Sequence, residues 1–129
     1  MIYLDTAAFV KLIRGEPETP GLQAFLRNRP AGPLVSSALL VVETRQAILR
    51  EAPDQLARAD LLLTRIDQVD VTRTVLEAAS RLPDPLLRSL DAIHLATALQ
   101  LEKDLEALVT YDGRLAEAAG RQKLPVVTP

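Results

Sequence analysis

Met1-Ile2-Tyr3-Leu4-Asp5-Thr6 opens the chain and decides how the rest is read. Its apolar run is β-like and passes at once into a helical pattern, Ala7-Ala8-Phe9-Val10-Lys11-Leu12-Ile13-Arg14. A strand this early in the chain belongs in the middle of a sheet, because later segments then add on both sides. It delivers a carboxylate, Asp5, to its C-terminal end, where a helix starts. Open α/β sheets build their sites at such ends.

Outward from this stretch, short apolar runs alternate with helical ones. The first helix stops at Gly15, and Glu16-Pro17 breaks the chain before a second helix over about 19–27, with Leu22, Phe25 and Leu26 on one face. Pro30-Ala31-Gly32-Pro33 reads as a loop and Leu34-Val35-Ser36-Ser37 as a buried strand. Ser37 is placed to cap a helix over about 38–51, Pro53 ends it, and Asp54 is placed to cap the next, to about 65. Val69, Val71 and Thr72 suggest a third strand, interrupted by Asp67, Gln68 and Asp70. Helices follow over about 74–81 and 90–102, the latter opening at Ser89. A strand at 108–110, a helix over 112–119 ending at Gly120 and a strand at 125–128 complete the chain. Continuous apolar strands between helices argue for a parallel sheet covered on both faces.

At 129 residues the chain is expected to be one domain, 1–129. Hydrophobic residues at 48% and charged residues at 25% are those of a soluble globule. Aromatics at 3% exclude an interleaved aromatic and basic platform for stacking bases, and a net charge of −2 gives no global field for a polyanion. With no cysteine, disulfides, thiolate metal sites and Cys nucleophiles are excluded. Neither a signal peptide nor a membrane span is legible, so a cytoplasmic setting is expected. Gly-rich phosphate loops are absent. Asp5 is followed by Thr6-Ala7, against a D-x-D phosphatase, and Lys123 precedes the last strand, against a receiver domain.

Three acids, Asp5, Asp91 and Asp112, stand at or near helix starts, where capping alone explains each one singly. Glu43 is different. Leu39, Leu40 and Ala47 flank it at i−4, i−3 and i+4, and Arg45 at i+2 points elsewhere. A carboxylate on such a stripe is costly unless something pairs with it or it reaches water at a rim. Taken together, Asp5 and Asp112 follow strands whose ends share one sheet edge, Asp91 enters that edge, and Glu43 leans in. Clustered carboxylates raise one another's pKa, and a divalent cation relieves the repulsion. An oxygen-only donor set points to Mg²⁺ or Mn²⁺ rather than Zn²⁺. His94, the single histidine, excludes a two-histidine acid–base mechanism and reads as a packing or hydrogen-bonding residue. Thr6 and Thr110 offer hydroxyls that either orient a carboxylate or water, or cap helices. Tyr111 reads as packing.

Ile2-Tyr3-Leu4-Asp5-Thr6, Val42-Glu43-Thr44, Leu90-Asp91-Ala92-Ile93-His94-Leu95-Ala96 and Val109-Thr110-Tyr111-Asp112 together resemble a PIN domain. More narrowly, the chain resembles the VapC toxins of bacterial toxin–antitoxin pairs, over its whole length and in the right order. The resemblance implies a three-layer α/β/α sandwich around a central, mostly parallel sheet. It implies metal-dependent hydrolysis of RNA phosphodiesters by an activated water. Asp5, Glu43, Asp91 and Asp112 would hold one or two Mg²⁺ or Mn²⁺ ions, with Asp112 either on the second ion or acting through water. A cognate antitoxin, a basic side chain inserted among the acids, and a homodimer built on the helix-rich segment after Pro17 are also implied. Ala7 departs from the family, whose members often carry a serine there. Arg45, Arg14, Lys11 and Arg88 are candidates for RNA-backbone contacts. The alternatives are a PIN-like module that binds RNA or protein with little catalysis, and a DNA-directed, structure-specific nuclease. Against the second stand the small size and the absence of an added DNA-binding segment.

Overall fold

A computed structural model of the chain describes residues 1–29 and 31–129, so Pro30 of the expected loop lies outside the described residues. The elements in chain order are β1 (Ile2–Leu4), α1 (Thr6–Ile13), α2 (Thr19–Asn28), β2 (Leu34–Ser37), α3 (Leu39–Glu51), a 3-10 turn (Pro53–Gln55), α4 (Leu56–Leu63), β3 (Asp67–Val69), α5 (Arg73–Ser80), α6 (Ser89–Gln100), β4 (Ala107–Val109), α7 (Gly113–Arg121) and β5 (Val126–Val127). The strands form one sheet in the order β3-β2-β1-β4-β5, and every pairing is parallel. β1 is central, as its position in the sequence predicts.

Alternation along β1 divides the core. Ile2 and Leu4, with Ala107 and Val109 of β4, face a cluster containing Phe9 and Ile13 of α1, Leu22 of α2, Leu40 and Ile48 of α3 and Ala59 and Leu63 of α4. Tyr3, Val35 and Leu108 face the opposite way, onto Leu95 and Ala98 of α6 and Leu115 and Ala118 of α7. Residues of opposite parity thus bury two helical layers on one sheet, which is the three-layer sandwich. Each fully buried Leu in these layers contributes about 1.5–3 kcal/mol.

Three local expectations are corrected. The third strand is Asp67–Val69, and Thr72 instead caps α5 by accepting from the Val75 amide at 3.2 Å. An edge strand pairs on one side only, so Asp67 and Gln68 stay exposed on it. Asp54 lies within the 3-10 turn and caps nothing, and α4 begins without a side-chain cap. α7 runs through Gly120 to Arg121, and Lys123, at φ 63°, takes the left-handed turn while Leu124 N–H bonds back to the Ala119 carbonyl at 3.1 Å. Ser37 accepts from the Leu39 amide at 3.2 Å, although Ala38 holds the N-cap position of α3.

Candidate active site

The sheet adds β2 and β3 on one side of β1 and β4 and β5 on the other, so the direction of growth reverses at β1. Chains leaving β1 and β4 diverge there and open a crevice beyond their C-terminal ends. Asp5 follows β1 directly, and Thr110 to Asp112 follow β4.

Asp5 is 3% exposed and held at both oxygens. Its Oδ1 accepts from the Ala8 amide at 2.8 Å, capping α1, and its Oδ2 accepts from the Thr110 hydroxyl at 2.5 Å. Burial pushes its pKa up, and Asp91 adds to this. The two hydrogen bonds and His94 oppose the rise without cancelling it. Thr110 Oγ1 also accepts the Asp112 amide at 3.1 Å, and Asp112 caps α7 by accepting from the Leu115 amide at 3.0 Å. One threonine therefore ties both strand-end acids together. Capping and site membership coexist here, because a cap uses one carboxylate oxygen and leaves lone pairs on both.

Glu43 projects from α3 to Thr6 and His94. Its Oε1 accepts from the Thr6 hydroxyl at 2.8 Å and lies 2.8 Å from His94 Nε2. The other ring nitrogen, Nδ1, lies 2.7 Å from the Tyr3 hydroxyl, which accepts the Ser37 amide at 3.1 Å. The Glu43 carboxylate only accepts, so Nε2 carries a proton and donates it to Oε1. Burial pushes the Glu43 pKa up, but the His94 hydrogen bond, the His94 charge and Thr6 outweigh it and hold the carboxyl below its usual range. Both threonines thus orient a carboxylate.

Asp91 lies in the first turn of α6, half-buried, and its side chain makes no hydrogen bond among the described residues. Burial, then Asp112 and Glu43, push its pKa up, while His94 and Arg88 pull against them. All four acids line a cleft of about 480 Å³, together with Lys11, Arg14, Arg50 and Arg88. Arg45 does not. At about 100° per residue, i+2 from Glu43 points to the far side of α3, where Arg45 pairs with Asp60 at 2.9 Å. Arg50, at i+7, returns to the face of Glu43 and stands in the cleft instead.

The PIN domain signature matches residues 2–121. The chain belongs to the PIN-domain family. It is 45% identical over 131 residues to Ribonuclease VapC35 of Mycobacterium tuberculosis, covering 100% of this chain and 97% of the relative. Ribonuclease VapC46 of the same organism is 42% identical over 128 residues, covering 99% and 97%. Among solved structures, the crystal structure of Mycobacterium tuberculosis VapC20, described as a Sarcin-Ricin loop cleaving toxin, shares the fold at a TM-score of 0.78 and 18% identity, covering both chains fully. The α/β/α architecture implied by the sequence resemblance is therefore borne out.

In this PIN domain the donor set fits a hard divalent cation: carboxylates only, with Asp91 free of hydrogen bonds and crowded by like charge. Among the described residues, no three His, Cys, Asp or Glu side chains yet converge to chelating distance. All four expected acids line the cleft, whereas the Tyr3–His94–Glu43 chain of hydrogen bonds was not among the expectations. The readable signals were one hydroxyl inside an otherwise apolar strand and a histidine one turn after Asp91. Ala7 lines the PIN cleft without a hydroxyl, and the adjacent Thr6 supplies one to Glu43.

Proposed function

We propose that residues 1–129 act as a single divalent-metal-dependent endoribonuclease domain, the toxin of a toxin–antitoxin pair, with Asp5, Glu43, Asp91 and Asp112 as its site. Asp5, Glu43, Asp91 and Asp112 lining one cleft at the sheet's switch point carry this reading. The full-length similarity to proteins named Ribonuclease VapC supports it. These acids would hold Mg²⁺ or Mn²⁺, which would supply neutralisation of the phosphate and activation of water.

The chain's own residues do the positioning. Thr110 and the Ala8 amide fix the Asp5 carboxylate, so it does not reorganise when substrate enters. His94 and Thr6 keep Glu43 ionised and aimed into the cleft. Arg88, on the cleft wall beside Asp91, faces the phosphate backbone. Lys11 and Arg14 line the same wall. The acidic cleft also suits a basic side chain of a cognate antitoxin, and the exposed Val42, Leu49 and Leu61 offer apolar surface for a homodimer. Among the described residues, no helix is long and apolar enough to cross a membrane.

Calorimetric titration of Mn²⁺ into the purified chain, beside an RNA cleavage assay, tests this. Binding that is lost in Asp91→Asn, with cleavage lost in parallel, is expected. Intact RNA with the acids in place and antitoxin excluded would instead leave a binding module.

A further inference from the structure

We infer that the RNA strand leaves the four-acid cleft through a second cleft beside α7, where Arg114, with Arg88, holds a phosphate of the nucleotides flanking the scissile bond. The inference rests on the nuclease reading and names how that site takes its substrate.

The first observation is continuity. A second cleft of about 440 Å³ is lined by Leu86, Arg88, Asp91, Asp112, Arg114 and Glu117. Arg88, Asp91 and Asp112 are also walls of the acid cleft, so the two meet at the acids. An enzyme that cuts within a strand needs a path on both sides of the reacting phosphate, and this cleft supplies one.

The second observation is which cations are already compensated. On the other side of the acids, Lys11 pairs with Glu16 at 3.2 Å and Glu18 at 3.3 Å, and Arg14 and Arg50 both pair with Glu51. A phosphate there must displace a carboxylate. Among the described residues, neither Arg88 nor Arg114 joins an ion pair. Glu117, the one acid of the second cleft that the first does not share, lies 4.0 Å from Arg121 rather than on Arg114. A guanidinium outside a close ion pair is matched to bidentate phosphate contact.

The third observation is the cleft's rim. Leu86 is 71% exposed, and its loop is tied to α7 at Asp84 and closed on itself. Asp84 pairs with Arg121 of α7, and the Leu87 amide bonds to the Asp84 carbonyl at 3.1 Å. The loop presents an apolar surface to a base or sugar and Arg88 to the backbone.

The test uses the full chain carrying Asp5→Asn, so that strand binding is read without cleavage, and a short single-stranded RNA of mixed sequence, titrated by anisotropy over a range of salt. Adding Arg114→Ala is expected to weaken binding severalfold at low salt and to lower the log–log salt slope by about 0.7, one phosphate contact on a single strand. Arg114→Lys should restore most of the slope. Arg65→Ala removes the same charge from the segment preceding β3, at the opposite sheet edge, and should change neither quantity. Unchanged affinity and slope in Arg114→Ala, with both reduced in Arg14→Ala, overturn the inference and send the strand along the other wall. Wild-type cleavage is scored separately: its absence overturns the nuclease reading and leaves the path to be judged by binding. Absence of any binding overturns both.

Discussion

Asp5 and Glu43 are carboxylates in one cleft whose neighbours push them in opposite directions, and the pH dependence of stability should separate them. A carboxyl with a raised folded pKa binds more protons folded than unfolded, so its ionisation costs stability once pH exceeds the unfolded value. Asp5 is of this kind. In metal-free protein, Asp5→Asn is predicted to melt at or above the wild-type temperature at neutral pH, with the difference closing in acid, where Asp5 is neutral in both states. Glu43 has a lowered folded pKa, so its contribution is present above the unfolded pKa and lost as pH falls through the folded one. Glu43→Gln should therefore destabilise at neutral pH and progressively less in acid; thermal scans in EDTA across pH read both. Tyr3→Phe strips the hydroxyl shared by Ser37 and His94. It should cost about 1–3 kcal/mol in urea unfolding, the penalty of unsatisfied buried partners, and lower turnover while metal affinity holds. Unchanged stability and turnover would remove this chain of hydrogen bonds from the account.

At the level of elements, two cleft acids serve as helix caps and are proposed as site residues, and substitution can divide the roles. Asn caps about as well as Asp, whereas Ala does not. Asp112→Asn is predicted to keep wild-type stability and lose activity, while Asp112→Ala loses activity and about 0.5–2 kcal/mol of stability. Equal stability losses in both variants would contradict the cap. In the central strand, Leu4→Ala should cost about 2–5 kcal/mol, since β1 is covered on both faces. The same position made β1 legible in the sequence: a strand buried on both sides shows as an unbroken apolar run. β3 begins at Asp67 rather than Val69 because an edge strand is under no such demand and carries Asp67 and Gln68 instead. Glu43 was readable from its i−4 to i+4 neighbours, but Arg45, expected at the RNA backbone, lies outside the groove on Asp60, and Arg50, which was not among the candidates, stands in it. His94 could be read as a hydrogen-bonding residue, but its partners are 91 and 51 positions away, on Tyr3 and Glu43, and only the folded chain brings them together.

For the whole molecule, the proposed site for hard cations and an anionic substrate sits in a chain of net charge −2. Attraction to RNA must then be local, carried by the cleft arginines and by bound metal, and should weaken with salt. Metal that binds only the folded chain stabilises it by mass action, about 2.7 kcal/mol at a free concentration one hundred times the dissociation constant. Mn²⁺ should raise the melting temperature of the wild type but not of Asp91→Asn; an equal rise in both would place the metal elsewhere. The measurement that bears most directly on the central claim is cleavage of RNA by the purified chain with Mg²⁺ or Mn²⁺, with EDTA, and with Asp5→Asn in parallel. Discrete fragments that need the metal and vanish in the variant are predicted. Cleavage that persists in EDTA or in Asp5→Asn would contradict a four-carboxylate, metal-dependent site.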